Sequence, residues 1–362
     1  MKDVLPDGSM SGAVITTSFA EANGRNEAET SSDRSAVQSG DMAPSVNRTT
    51  AVYLCLAAFA VGYTFSLWLL DAHYGGDQKF YAAYWRAMMW AHPSQWSRLQ
   101  LQYLGSAEPI YRAIIGAGTY FQFDRIEYLS CWNGLLVASI AYILQKYRAS
   151  YIFAFLVFTN YYIIVLLGPA ERLKFAYIFL ILAFAGGGIK WKSALSAMSI
   201  FAHTQALVQF ASSIIHYAFS NKQKIFSSQW KAMAFIAGVP LGIGAAGYLL
   251  ISSAGDIISQ KAEFYGGESQ GLGEVFQWML ILFGGSIIFD KKFQFFVGML
   301  PMGILTILFG NRVNVATLAF FCGLALTQRK THHPLVLAVM AYMSFKTIGF
   351  IINTIDIGDG FG

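Results

Sequence analysis

Charged side chains are scarce in this chain. Of its 362 residues 12% are charged and 55% are hydrophobic, whereas a soluble domain carries about 25% charged residues. So little charge, together with repeated apolar runs, argues against a soluble protein and indicates an integral membrane protein. The net charge of +5 is modest. It fits basic cytoplasmic loops and gives no argument for nucleic-acid binding.

Cysteine is also rare, and no pattern typical of a metal site is present. The three cysteines, Cys55, Cys131 and Cys322, lie in apolar segments without CxxC or Cys/His spacing. This argues against a zinc site or a disulfide framework. The sequence also lacks an internal repeat, a nucleotide-binding glycine loop and an acidic DxD-type pair in the predicted outer loops. We therefore expect a site without metal or cofactor.

The first fifty residues differ from the rest of the chain. They are rich in Ser, Asn, Asp, Glu, Ala and Gly, and no apolar run precedes residue 51. A cleaved signal peptide requires such a run. We therefore expect a disordered cytoplasmic tail over 1–50 and one polytopic membrane domain over 51–362.

Most of the membrane domain consists of apolar stretches that approach the roughly 20 residues needed to cross a bilayer. Two further stretches are ambiguous: 109–123 is short and contains glycines, and 193–219 is interrupted by His203 and Gln205. The clear candidates are 51–71, 128–145, 149–167, 173–189, 232–252, 275–289, 293–309, 311–327 and 333–354.

The charges of the short loops favour one arrangement of these stretches. If 109–123 does not cross and 193–219 crosses twice with a turn near His203, the basic short loops all become cytoplasmic, as the positive-inside rule requires. This predicts an all-α bundle of about eleven crossings, with segments 72–127 and 253–274 outside. In the competing arrangement 109–123 crosses, which moves Arg172 to the cytoplasm and several basic residues outside.

The outer segment 72–108 carries a further helix signal. Apolar residues recur there at helical spacing, so we expect an amphipathic helix on the outer membrane surface. Its tryptophans would act as interfacial anchors, or one of them would stack on a sugar ring. The apolar positions are Phe80, Tyr81, Tyr84, Trp85, Met88 and Met89, and the tryptophans are Trp85, Trp90 and Trp96.

Five polar positions lie beside or inside the apolar segments, where a charge is costly and usually faces a cavity or a partner. They are Asp77, Glu108, Arg172, His203 and Arg312. We predict that they converge on one polar pocket at the outer side. Arginine suits a diphosphate because its planar fork grips two oxygens and stays protonated. Histidine suits a general base or a donor to phosphate.

Simpler interpretations exist for the same residues. Asp77 has the position of a helix N-cap, and Glu108 before a proline is an ordinary helix start. Arg172 could be a loop charge paired with its neighbour Glu171. His203 could form a hydrogen bond between helices.

The order of these residues resembles EpsG-type, Wzy-like polysaccharide polymerases, which are GT-C-like membrane glycosyltransferases of bacterial envelopes. An aspartate with nearby tyrosines follows the first span, then comes Glu-Pro, and then Arg172-Leu-Lys-Phe-Ala opens a span. A histidine in a broken apolar pair and a late arginine that opens another span complete the series. The resemblance covers roughly residues 51–327.

This resemblance implies a metal-independent transfer of a growing glycan from an undecaprenyl-diphosphate carrier to a lipid-linked oligosaccharide repeat unit. It implies exopolysaccharide, capsule or O-antigen synthesis at the periplasmic face of the bacterial inner membrane, with a chain-length regulator and a flippase as partners. Arg172 and Arg312 would bind the diphosphate. His203 and Asp77 would activate the acceptor hydroxyl, and Glu108 would shape the pocket.

Other functions fit the same charges. A glycan ligase would move the finished polymer to another acceptor, and an envelope acyltransferase could also use a membrane histidine. A transporter or flippase of lipid-linked oligosaccharide could pass its substrate along these residues, although many transporters show a two-half repeat and none is present here.

Overall fold

The computed structural model describes residues 48–106, 108–220, 272–309 and 311–361. In these ranges the secondary structure is helical throughout, with fourteen α-helices and no strand. The predicted all-α class is therefore confirmed for the described residues. The tail up to residue 47, the predicted span 232–252 and nearly all of the outer segment 253–274 lie outside them.

The α-helices are named here in chain order. They are α1 (Arg48–Ala72), α2 (Gln78–Met89), α3 (Trp96–Leu104), α4 (Pro109–Tyr120), α5 (Arg125–Lys146), α6 (Tyr151–Phe158), α7 (Tyr161–Leu167), α8 (Glu171–Ala185), α9 (Ile189–Ala202), α10 (Ala206–Ser220), α11 (Leu272–Ile288), α12 (Lys292–Phe309), α13 (Asn311–Thr327) and α14 (Pro334–Ile357).

Three helices are long and apolar enough to cross a membrane. They are α1 from Thr49, α5 and α14, with 24, 22 and 24 residues. Shorter apolar helices follow at Gly273–Ile288, Lys292–Thr306 and Val313–Thr327. By length and composition, the chain therefore contains the helices of a membrane protein.

The predicted span 149–167 consists of two short helices instead of one continuous helix. The chain breaks at Thr159 and Asn160, between α6 and α7. The Asn160 carboxamide oxygen accepts a hydrogen bond from the Tyr162 backbone at 2.9 Å and caps α7. The Thr347 hydroxyl of α14 donates to the Thr159 carbonyl at 2.7 Å. A break inside an apolar region is tolerated when such side chains satisfy the freed backbone groups.

The ambiguous stretch 193–219 contains a turn near His203, as predicted. Helix α9 ends at Ala202, His203 is extended with φ −161° and ψ 129°, and α10 begins at Ala206. Late in α9, the Ser199 hydroxyl donates to the Ala176 carbonyl, early in α8, at 2.8 Å. Helices α8 and α9 therefore run in opposite directions, so the end of α9 returns to the level at which α8 begins.

The expected amphipathic helix exists as α2, but its apolar face packs against protein. Tyr84, Trp85 and Met88 are at most 3% exposed. The Trp85 ring lies 5.6 Å from the ring of Tyr128 in α5. Neighbouring helices therefore supply the partner for four of the six predicted apolar positions, whereas Phe80 and Met89 are 57% and 39% exposed. The placement of α2 on the membrane surface stays a prediction.

The three tryptophans predicted as interfacial anchors have different environments. Trp90 is 88% exposed, as an anchor would be. Trp85 is buried, and Trp96 packs so closely on α4 that a Cβ at Gly116 would lie 2.2 Å from its ring. Trp85 and Trp96 therefore contribute to the packing of the protein interior.

We expect Gly134→Ala to lower the melting temperature of the purified protein in detergent. Helices α1 and α5 approach so closely there that an added Cβ would lie 2.9 Å from the Phe59 carbonyl oxygen. Overpacking of this kind costs about 1–3 kcal/mol. The matched control is Gly349→Ala in α14, where a Cβ meets nothing within 4 Å. Equal melting temperatures for the two variants would contradict the close packing of α1 on α5.

Candidate functional site

The candidate site is assembled from helix ends. Glu108 directly precedes α4, whose first residue is Pro109, and Arg172 is the second residue of α8. His203 directly follows α9. Proline is favoured at the first helical position because its missing N–H needs no partner there. The three polar side chains therefore reach one region from three different helix ends.

Glu108 is the centre of this cluster. The Arg172 Nη1 group donates to both carboxylate oxygens, at 3.2 and 3.0 Å. The His203 Nδ1 atom lies 2.6 Å from Oε1 of the same carboxylate. These two contacts engage both oxygens of Glu108 and hold the guanidinium and the imidazole on one anion.

The charge of Arg172 and the hydrogen bond to His203 keep Glu108 ionised although it is only 5% exposed. Burial by itself raises the pKa of a carboxyl group, because it disfavours the charged form. Arg172 and His203 act in the opposite direction and hold the pKa of Glu108 well below its usual range. The cluster therefore favours the carboxylate form of Glu108.

Two further side chains fix this arrangement. The Arg172 Nε group donates to the Tyr81 hydroxyl at 3.2 Å, and the guanidinium carbon lies 6.0 Å from the centre of the Tyr81 ring. The Gln100 side chain donates to the Glu108 backbone carbonyl at 3.1 Å. Arg172 thus uses Nη1 and Nε for protein partners, and Nη2 is the donor group that neither partner engages.

A second buried ion pair lies next to the first. Glu171 accepts a hydrogen bond from the Tyr111 hydroxyl at 2.8 Å and forms an ion pair with Arg125 at 2.7 Å. The same Arg125 nitrogen donates to Gln78 at 2.5 Å. The expectation that Glu171 pairs with Arg172 is therefore wrong, because the two consecutive side chains leave α8 in different directions.

Three of the five predicted site residues, Glu108, Arg172 and His203, come together. Asp77 stands at the N-cap position of α2, yet its side chain makes no capping hydrogen bond. Its charge instead acts on His73, for which burial lowers the pKa while Asp359 and Asp77 raise it. Arg312 is the second residue of α13, and its side chain lies outside the described part of the chain.

Sequence reasoning missed several polar residues. Tyr81 was predicted only as an apolar position and as one of the tyrosines near Asp77, and Tyr111 was given no role. Arg125 has a usable signal, since it is a charge at the start of a long apolar stretch. Lys346 was missed in the middle of the predicted span 333–354, and its ammonium lies 4.8 Å from the centre of the Tyr161 ring. An ionisable residue at such a depth is a functional candidate in its own right.

A cavity of about 720 Å³ lies apart from the ionic cluster, between α5, α7, α8, α10 and α13. Its wall is mainly apolar, with a few polar side chains such as Asn160, Gln209 and His216. Glu108, Arg172 and His203 do not line it. The volume is in the range of about 300–1,000 Å³ that is usual for binding sites of small molecules.

Comparison with protein-family models, with curated proteins and with solved structures finds no match to this chain. The functional argument therefore depends on the residues and on the geometry of the site.

We expect Glu108→Leu to destabilise the protein by about 3–5 kcal/mol, because removing one partner of a buried ion pair leaves an uncompensated charge. Adding Arg172→Met to the same chain should recover much of this loss, since no buried charge then lacks its partner. Unfolding of the single and double variants in detergent measures the coupling. Additive losses would contradict a direct buried pairing of the two side chains.

Proposed function

We propose that this protein is a membrane glycosyltransferase of the polysaccharide polymerase type. It would transfer a growing glycan from an undecaprenyl-diphosphate carrier to a lipid-linked oligosaccharide repeat unit. The observation that carries the proposal is the convergence of Glu108, Arg172 and His203, which are distant in sequence, on one buried cluster of an apolar helical bundle. The order of these residues along the chain adds the resemblance described above.

The cluster suits the proton transfer that such a reaction needs. The acceptor hydroxyl oxygen attacks the anomeric carbon, the bond from that carbon to the diphosphate oxygen breaks, and the hydroxyl proton goes to a base. His203 is the base in this proposal. A carboxylate bound to one ring nitrogen orients an imidazole and stabilises its protonated form. Glu108 would therefore orient His203, a more direct role than shaping the pocket.

The leaving group gives Arg172 its role. A lipid diphosphate departs as a multiply charged anion, so donors fixed in place lower the barrier. The Nη2 group of Arg172 would face the diphosphate while Nη1 and Nε stay anchored to Glu108 and Tyr81. Arg312 would be the second clamp, and Asp77 a further acceptor-side carboxylate.

The positions of the helix ends support the arrangement in which 109–123 does not cross the membrane. Glu108 opens α4 and meets Arg172, and Arg125 opens α5 and meets the adjacent Glu171. Residues 108 and 125 therefore lie at the same depth relative to α8, although α4 separates them along the chain. Helix α4 has 12 residues, about 18 Å at 1.5 Å per residue, which is shorter than the roughly 30 Å hydrocarbon core.

This arrangement places the cluster at the outer face under the positive-inside rule, because the basic loops at Lys146 and Lys190 then lie inside. The proposal therefore assigns the chain to the bacterial inner membrane, with about eleven crossings and a site that faces the periplasm. The apolar cavity between α5 and α13 suits the hydrocarbon part of a lipid-linked substrate.

We expect Arg172→Ala, His203→Ala and Arg312→Ala each to abolish long glycan chains in a deletion strain that expresses the variant. Single lipid-linked repeats should accumulate on the outer face, because the transfer step fails while their supply continues. The measurement is glycan length on a gel, with the amount of protein in the membrane checked for every variant.

The matched controls are Arg98→Ala and His332→Ala, which remove the same side chains at exposed positions. Both should leave chain length normal. Normal chain length in all three site variants would overturn the site. Repeats trapped on the inner face would indicate a flippase, and long lipid-linked chains that fail to reach their final acceptor would indicate a ligase.

A further inference from the structure

Glu171 and Arg172, the first two residues of α8, each bind side chains from neighbouring helices, and we call this pair the clamp. Helix α2 contributes Tyr81 to Arg172, and helix α4 contributes Tyr111 to Glu171. A second residue lies three positions before each of these tyrosines. In α2 it is Gln78, which reaches Glu171 through Arg125, and ahead of α4 it is Glu108, which binds Arg172.

The order of these contacts is opposite in the two helices. In α2 the residue nearer the N-terminus, Gln78, is connected to Glu171 through Arg125. At α4 the residue nearer the N-terminus, Glu108, binds Arg172. Helices α2 and α4 therefore cross the dipeptide in opposite senses. Gln78 and Tyr81 are three residues apart and lie on the same face of α2, so a movement of α2 that shifts the contacts at Glu171 also shifts the contact at Arg172.

The Glu171 part of the clamp is closed and buried. Glu171 is 1% exposed and Tyr111 is 0% exposed. Gln78 also donates through Nε2 to the Gly168 carbonyl at 3.0 Å, which connects these contacts to the turn just before α8. Helices α4 and α5 thus contact this carboxylate directly, and α2 and the turn before α8 are connected to it through Gln78 and Arg125.

We propose that Glu171 is a positioning residue, which holds Arg172 in register with Glu108 and His203. This inference rests on the proposed function, in which Arg172 and His203 act on the substrate. In that reaction Glu171 itself contacts neither the acceptor nor the diphosphate. It fixes α4 and α5 against α8, and a displacement of about 1 Å at a reacting centre can reduce a rate about 100-fold.

The first test is Glu171→Gln, which keeps the shape and removes the charge. With purified protein and a lipid-diphosphate-linked repeat unit, we expect kcat to fall at least about tenfold, as for a displaced catalytic group, while KM changes little. The matched control is Glu127→Gln, the same substitution at an exposed residue in the first turn of α5. The control should behave like the wild type.

A milder pair of variants covers the case in which Glu171→Gln fails to fold. Tyr111→Phe removes only the hydroxyl that donates to Glu171. Tyr84→Phe removes a buried hydroxyl that has no hydrogen-bond partner among the described residues, in a ring stacked 6.2 Å from that of Tyr111. A positioning role predicts a lower kcat for Tyr111→Phe alone. Equal kcat values for the two variants and the wild type, at equal melting temperatures, would overturn it.

A chemical readout separates this inference from the proposed function. Phenylglyoxal modifies arginine, and its rate at Arg172 can be followed by mass spectrometry, with exposed Arg98 as the internal reference. We expect Glu171→Gln to raise the Arg172 rate about tenfold, the factor that corresponds to losing one charge-assisted hydrogen bond. Glu127→Gln should leave it unchanged.

The two readouts give distinct outcomes. Faster modification of Arg172 with a lower kcat supports both the positioning role and the proposed function. Faster modification in a protein that forms no glycan, even as wild type, supports positioning and overturns the proposed function. An unchanged modification rate at Arg172 in both Glu171→Gln and Tyr111→Phe overturns the positioning role.

Discussion

A carboxylate and a guanidinium that are both withdrawn from water hold the starts of α4 and α8 together. The side chains of Glu108 and Arg172 are 6% and 11% exposed, and either one buried alone would cost several kcal/mol. Because Glu108 precedes α4 and Arg172 opens α8, their pairing fixes the start of one helix against the start of another. His203 binds the same carboxylate, so the end of α9 is fixed there as well.

Helix ends are the places where an apolar bundle can collect polar groups, since the interior of a helix satisfies its own backbone. Here α2, α4, α5 and α8 begin, and α9 ends, around two neighbouring ion pairs. Short helices make this arrangement geometrically accessible, because their ends fall inside the bundle. The break between α6 and α7 follows the same rule, with hydroxyl groups of α14 satisfying the freed carbonyls.

The helices were more predictable from the sequence than the contacts between them. Apolar runs predicted most of the described helices, and the polar pair after Ala202 predicted the turn at His203. The break in 149–167 was invisible because one of the capping hydroxyls, that of Thr347, lies 188 residues along the chain from the carbonyl it satisfies. Glu171 was assigned to Arg172 by adjacency, yet consecutive residues of an α-helix point about 100° apart. Lys346 was overlooked because the surrounding apolar residues dominate its segment.

The sequence by itself determined the membrane character, the all-α class and the choice of Glu108, Arg172 and His203 as polar residues that need partners. Composition and periodicity are enough for this, because the cost of placing a charge among apolar residues is a local property. Only the tertiary structure decided which charge meets which, since that choice depends on helix ends brought together from sequence separations of 46, 64 and 95 residues. In the tertiary structure the Glu108 carboxylate binds both His203 and Arg172, whereas Glu171 binds Arg125 and Tyr111.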